Sequence, residues 1–217
     1  MLIVGRSLWL AETNCYLIAA ETGGTGILVD APPDPDAIAT LITQFDVTPV
    51  ALLLTHGHVD HMGGAGSVHR RHGATVYVHR DDDYLTLAPE QQLRSIFGLV
   101  PEGDFQPPEK LEGLTSGQEL NLAGIRLEVR HTPGHTPGHC CFYLSGEGVI
   151  FSGDQLFAGS VGRTDLPGGS WEDLLTSMKR ELLTLDDEIR VLPGHGPETS
   201  IGRERRSNPF LVGLGDR

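Results

Sequence analysis

Residues 50–61 read Val-Ala-Leu-Leu-Leu-Thr-His-Gly-His-Val-Asp-His, a run of buried-strand type, Val50 to Leu54, that ends in four metal-ligand side chains: His56, His58, Asp60 and His61. In extended chain, positions i and i+2 point to the same side, so the imidazoles of His56 and His58 converge on one ion. Asp60 and His61 are offset from that pair, and as neighbours in extended chain they diverge. Four groups in so short a loop therefore suit two adjacent ions better than one. Gly57 permits close backbone approach, and Gly63-Gly64 allow a sharp exit into the next segment. Imidazole and carboxylate are the usual zinc ligands.

Three later segments supply further ligands. His131-Thr-Pro-Gly-His135-Thr-Pro-Gly-His139 follows the alternating strand Ile125, Leu127, Val129, and its two Pro-Gly turns hold histidines beyond the strand end. Val149-Ile150-Phe151-Ser152 delivers Gly153-Asp154, and Ile189-Arg190-Val191-Leu192 delivers Pro193-Gly194-His195-Gly196-Pro197. Each is a strand followed by a Gly-containing loop, the arrangement in which a rigid sheet holds functional groups at one edge.

These motifs resemble those of the metallo-β-lactamase-fold hydrolases: His-x-His-x-Asp-His, then a later His, an Asp and a final His. The resemblance covers nearly the whole chain. It is closest to short glyoxalase II-like thioesterases, through Thr-Pro-Gly-His-Thr-Pro-Gly, the Gly153–Gly169 stretch, Leu-Pro-Gly-His-Gly-Pro and the tail Gly-x-Glu-Arg-x-x-Asn-Pro-Phe at residues 202–210. It implies that His56, His58 and His135 hold one metal, Asp60, His61 and His195 a second, and that Asp154 bridges them. The implied cofactors are two divalent ions, zinc first, with iron or manganese as the other candidates. The implied fold is α/β (α+β): an αββα four-layer sandwich of two mixed sheets with helices outside. Pattern alone equally allows a doubly wound single sheet. His131, on the parity of Ile125, Leu127 and Val129, reads as a supporting or core histidine. His139 opens the next strand, close to the ligands, while His69, His72 and His79 lack ligand spacing and read as surface or packing residues.

The resemblance also implies a reaction. Zinc lowers the pKa of bound water to about 7, so a metal hydroxide is the nucleophile. Asp60 orients it as well as binding metal, and a metal stabilises the oxyanion. A thiolate, with a reference pKa near 8.5, leaves without a dedicated acid. The expected substrate is a 2-hydroxyacyl thioester of a low-molecular-weight thiol, as in S-lactoylglutathione. Full-length glyoxalase II proteins carry a helical C-terminal region that grips glutathione, whereas only Thr199 to Arg217 follow the last ligand motif here, which leaves the thiol open. The alternatives are a persulfide dioxygenase with a single iron, a lactamase and a non-enzymatic metal-binding protein.

Composition narrows the remaining classes. A chain of 217 residues without a linker or low-complexity tract reads as one domain over residues 1–217. A formal net charge of −13 argues against a nucleic-acid partner, which requires an excess of Lys and Arg on one face. The local exceptions are Arg203, Arg205 and Arg206, together with Arg163, either as a solvated face or as contacts to an anionic substrate. Three cysteines, two of them the neighbours Cys140-Cys141, make no disulfide framework and point to a reducing cytoplasm. The opening residues lack a basic region and are broken by Arg6, unlike a secretory signal. No apolar run approaches the roughly 20 residues of a membrane span.

Strands are expected near Leu2–Val4, Cys15–Ala19, Gly26–Asp30, Ala51–Thr55, Thr75–His79, Ile125–Arg130, Cys141–Leu144, Val149–Ser152 and Ile189–Leu192. Two amphipathic helices are expected between them. Pro35 to Phe45 aligns Ile38, Leu41, Ile42 and Phe45, while Ser170 to Leu183 opens on a Ser170/Asp173 cap and aligns Leu174, Leu175, Met178, Leu182 and Leu183.

Overall fold

Two mixed β-sheets, each accompanied by helices, carry the fold of this computed structural model, which describes residues 1–101, 103–212 and 214. The chain divides into two units: Met1–Leu114 with Asn121–Ile125, and Thr115–Leu120 with the described residues from Arg126 onward.

In the first unit, strands β1 (Leu2–Leu8), β2 (Thr13–Ala19), β3 (Thr25–Val29), β4 (Thr48–Leu53), β5 (Thr75–His79) and β6 (Leu111–Leu114) pair in sequence order. The pairs β1/β2 and β2/β3 are antiparallel, and the rest are parallel. Parallel neighbours need crossover connections, here α1 (Pro35–Gln44) between β3 and β4, then α2 (Val59–Met62) and α3 (Ala65–His72) between β4 and β5. Asp34 caps α1 by accepting the Ala37 amide at 3.1 Å, and Pro35 occupies its first turn. Ile38, Leu41 and Ile42 of α1 and Met62 and Val68 of the following helices pack on Leu17, Leu28, Leu52, Leu54 and Val76. The opposite-parity residues Ile18, Ile27, Ala51 and Leu53 are also buried, which is why β4 reads as a continuous apolar run. Val50, at the start of that run, is exposed.

Two further helices, α4 (Asp83–Thr86) and α5 (Pro89–Phe97), complete this unit. The exit at Gly63-Gly64 is not the sharp turn expected, since Gly63 is helical at φ −62° and Gly64 near helical at φ −88°. Space selects glycine there: a Cβ on Gly64 would lie 2.4 Å from the Pro32 carbonyl oxygen.

The second sheet has the order β14-β13-β10-β9-β8-β7. Its strands are β7 (Glu119–Leu122), β8 (Ile125–His131), β9 (Cys140–Leu144), β10 (Val149–Gly153), β13 (Arg190–Pro193) and β14 (Thr199–Ser200), and a separate hairpin pairs β11 (Leu156–Phe157) with β12 (Ser160–Val161). β8/β9 and β9/β10 are antiparallel and β10/β13 parallel, so β8, β10 and β13 all end at the same edge of the sheet.

The helix expected from Ser170 to Leu183 is α6 (Trp171–Ser177), capped as expected by Ser170 accepting the Asp173 amide at 3.2 Å. It continues as a π turn over Met178–Leu182, with Leu183 N bonded to the Met178 carbonyl. The wider turn keeps Leu182 in line with Leu174 and Met178, and all three are fully buried. α7 (Ile201–Ser207) closes the unit, its Ile201 joining Leu174, Met178, Val191 and Ile150 in the core. Among the described residues, no helix is long and apolar enough to cross a membrane.

All three cysteines are buried and unbridged. Burial, reinforced by Asp30, pushes the Cys15 thiol well above its ordinary range, and burial pushes Cys141 up to about 12. Only the thiolate alkylates readily. Iodoacetamide in mildly alkaline buffer is therefore expected to label none of the three thiols in the folded protein and all three in guanidinium, as counted by intact mass. Native labelling of Cys141 at the rate of a free thiol would contradict this burial.

Candidate metal centre

The first cluster forms where β4 runs out. His56 and His58 lie in the loop, while Asp60 and His61 fall in the first turn of α2, for which His58 is the extended N-cap residue. That helical turn corrects the expectation that Asp60 and His61 diverge: His61 Nε2 lies 3.4 Å from Asp60 Oδ2. His56 Nε2 faces His58 Nδ1 at 3.1 Å, and the His56 and His61 ring centroids are 4.1 Å apart. His56 and His61 are fully buried, and His58 nearly so.

Asp30 holds this cluster in place. It follows β3 in left-handed backbone (φ 58°), a conformation that Asp and Asn tolerate better than most residues. Its Oδ1 accepts the Thr55 amide at 2.8 Å, and its Oδ2 accepts both the Thr55 hydroxyl and His61 Nδ1–H at 2.8 Å. Thr55 Oγ1, its own proton given to Asp30, accepts His56 Nδ1–H at 3.0 Å. Both rings thus have their Nδ1 protons committed to the scaffold, which turns each Nε2 toward the other ligand-type groups, His58 Nδ1 at 3.1 Å and Asp60 Oδ2 at 3.4 Å. The loop backbone is fastened as well: Asp82 accepts the Gly57 amide at 2.8 Å, and Gln92 accepts the Val59 amide at 3.0 Å while donating to the Gly57 carbonyl at 2.9 Å. Thr13 Oγ1 donates to Asp60 Oδ2 at 3.0 Å.

The second cluster gathers at the shared edge of β8, β10 and β13. Asp154 Oδ2 lies 3.5 Å from His135 Nε2 and 3.6 Å from His195 Nε2. His135 Nδ1–H donates to the Arg163 carbonyl at 2.7 Å, so its Nε2 also carries a lone pair. Imidazole nitrogens and carboxylate oxygens converging in this way are ligand types that a divalent cation takes, and each unit gathers such a set.

The other histidines fall into place by their contacts. His139 Nε2 accepts the Asp154 amide at 3.0 Å and its Nδ1 meets Thr132 Oγ1 at 2.8 Å, so it supports Asp154. His131 Nε2 donates to the Pro137 carbonyl at 2.9 Å and braces the loop that carries His135. Gly162 allows a close approach: a Cβ there would lie 1.9 Å from the Asp154 carbonyl oxygen.

The arginines divide. Arg163 grips Asp165 through two bonds of 2.6 and 2.7 Å, which hold the Asp165 carboxyl down at about 2. Arg205 donates to the Leu183 and Leu185 carbonyls at 2.9 and 2.7 Å and pairs with Asp187, which Arg206 also meets at 3.0 Å. The Arg203 side chain is exposed. Sequence reading missed Asp30, Thr55, Asp82 and Gln92. The Asp30 position after an apolar strand was the one available signal.

Comparison with known proteins matches residues 9–195 to the metallo-beta-lactamase superfamily. The chain belongs to this superfamily. Hydroxyacylglutathione hydrolase GloC of Haemophilus influenzae is 39% identical over 92% of this chain and 93% of its own length. Among solved structures, BLEG-1, described as a B3 metallo-beta-lactamase, superposes with a TM-score of 0.89 at 35% identity, covering 98% of this chain and 100% of its own. TTHA1623, solved in a di-iron-bound form, gives a TM-score of 0.85 at 40% identity over 97% and 100% of the respective chains. This superfamily member accordingly has the expected α/β fold of two mixed sheets flanked by helices, with His/Asp clusters suited to metal.

Loss of a carboxylate that orients a metal-ligating histidine typically weakens metal binding about 10- to 100-fold. Asp30→Asn keeps the backbone conformation but turns one acceptor face into a donor. We expect metal affinity to fall by that factor of about 10 to 100 in a chelator-competition titration. Parental affinity would mean that Asp30 does not orient the ligand.

Proposed function

We propose that this metallo-hydrolase cleaves 2-hydroxyacyl thioesters of a low-molecular-weight thiol, with S-lactoylglutathione as the model substrate. The observation that carries this reading is the nearly full-length likeness to a hydroxyacylglutathione hydrolase in a chain whose clusters keep all seven expected donors. In this reading His56, His58 and His135 hold one divalent ion, Asp60, His61 and His195 hold a second, and Asp154 is shared. Zinc suits the imidazole and carboxylate set, and the di-iron form of TTHA1623 supports iron as the alternative. Bound there, such ions would supply Lewis acidity and lower the pKa of coordinated water.

The chain's own residues do the rest. Asp60, steadied by the Thr13 hydroxyl, is assigned to orient the attacking water. Asp30, Thr55 and the Arg163 carbonyl keep the rings fixed in position, so little reorganisation is needed during reaction. The buried cysteines leave water as the nucleophile. A thiolate departs without a protonating side chain, its conjugate acid having a reference pKa near 8.5. Arg163, whose guanidinium is held by Asp165, is the cation assigned to a carboxylate of the thiol carrier, which would take the place of Asp165. A reducing cytoplasm suits such a chemistry and such a set of thiols.

Alanine at Asp154 or His195, on loops at a sheet edge, or at Asp60, in the first turn of α2, deletes a donor and leaves the apolar strands intact. Each variant is expected to lose at least about 100-fold in kcat/KM on S-lactoylglutathione, with a near-native circular dichroism spectrum and reduced metal content. Full thioesterase activity in all three would show the site to be wrongly assigned. Hydrolysis of a cephalosporin in preference to the thioester would move the function to that described for BLEG-1.

A further inference from the structure

The tail motif Gly202-x-Glu204-Arg205-x-x-Asn208-Pro209-Phe210 plays no part in the chemistry above, yet it contains two polar side chains with no exposed surface, Glu204 and Asn208. A carboxylate is buried at such cost only when donors surround it. Glu204 Oε2 accepts the Gly159 amide at 2.8 Å and Asn208 Nδ2 at 2.9 Å, and Oε1 accepts the Thr199 hydroxyl at 2.5 Å. Asn208 Nδ2 also donates to the Ser160 carbonyl at 3.0 Å. The two side chains thus fasten α7 to the turn of the β11–β12 hairpin.

That hairpin meets all three candidate ligands of the second cluster. Phe157 of β11 packs edge-on against His195, with ring centroids 6.0 Å apart. Beyond β12, Gly162 lies against Asp154 so closely that a Cβ would sit 1.9 Å from its carbonyl oxygen, and the next carbonyl, that of Arg163, accepts His135 Nδ1–H at 2.7 Å. A shift of the hairpin turn would therefore move the partners of His135, Asp154 and His195 together.

We propose that Glu204 and Asn208 are positioning residues: by pinning the hairpin turn they hold His135 and His195 in the orientation that binds a divalent ion. The proposal rests on the ligand assignment made above. It separates two substitutions that a generic core role would treat alike. Glu204→Leu removes every acceptor. Glu204→Gln can keep the network, its carbonyl toward Gly159 and Asn208 and its amide toward the Thr199 oxygen.

The test is zinc binding by chelator competition on the full chain, alongside thermal unfolding. Glu204→Leu is expected to bind zinc about 10- to 100-fold more weakly than the parent, and Glu204→Gln to stay within about threefold. Leu182→Ala, a core truncation in the same unit, is expected to lower the unfolding temperature while keeping parental affinity. Parental affinity in Glu204→Leu, or a loss in Leu182→Ala as large as in Glu204→Leu, would overturn the proposal. If Glu204→Leu does not fold, Asn208→Ala is read against the same controls. His195→Ala distinguishes the two levels of the argument. If it leaves zinc affinity intact, the ligand assignment fails and the proposal with it. If it weakens binding while the Glu204 and Asn208 variants do not, the positioning role alone fails.

Discussion

A buried imidazole must satisfy two nitrogens, and in this chain the nitrogen that faces the scaffold is satisfied first. Asp30 accepts the Nδ1–H of His61, Thr55 accepts that of His56 while donating its own hydroxyl to the same carboxylate, and the Arg163 carbonyl accepts that of His135. Each of these bonds fixes a tautomer and leaves Nε2 as a lone-pair donor. The chemistry proposed for the chain depends on that constraint, because a ring able to rotate or to protonate at Nε2 would not hold a cation.

The sheets make the constraint affordable in energy terms by doing the folding elsewhere. Each unit has its own apolar core, one around Leu17, Leu28, Leu52 and Val76, the other around Ile150, Met178, Leu182 and Val191. Loops leaving strand ends can then carry crowded polar groups without having to stabilise the fold.

Much of this was readable in the residues, and the parts that were not have physical reasons. The apolar strands β4, β8, β10 and β13, the apolar face of α1 and the cap of α6 announce themselves through hydropathy and capping chemistry, which are local. The short pieces β6, β7, β11, β12 and β14 carry two to four residues each, too few for a period to register. The choice among His131, His135 and His139 came only from resemblance, because three histidines at equal spacing look alike until their partners are known. Asp30 and Gln92 lie 31 and 33 residues in sequence from the groups they hold, His61 and Val59, a separation across which no spacing rule operates. The divergence expected of Asp60 and His61 assumed extended chain, whereas α2 begins between His58 and Asp60 and turns both inward.

The most direct test of the account is the metal content per chain of purified protein that is turning over S-lactoylglutathione. The account predicts two divalent ions per chain, with thiol released and no oxygen consumed, because the proposed assignment provides ligands for two ions. A single iron per chain, with oxygen consumed in the presence of a persulfide, would contradict it while leaving the fold untouched.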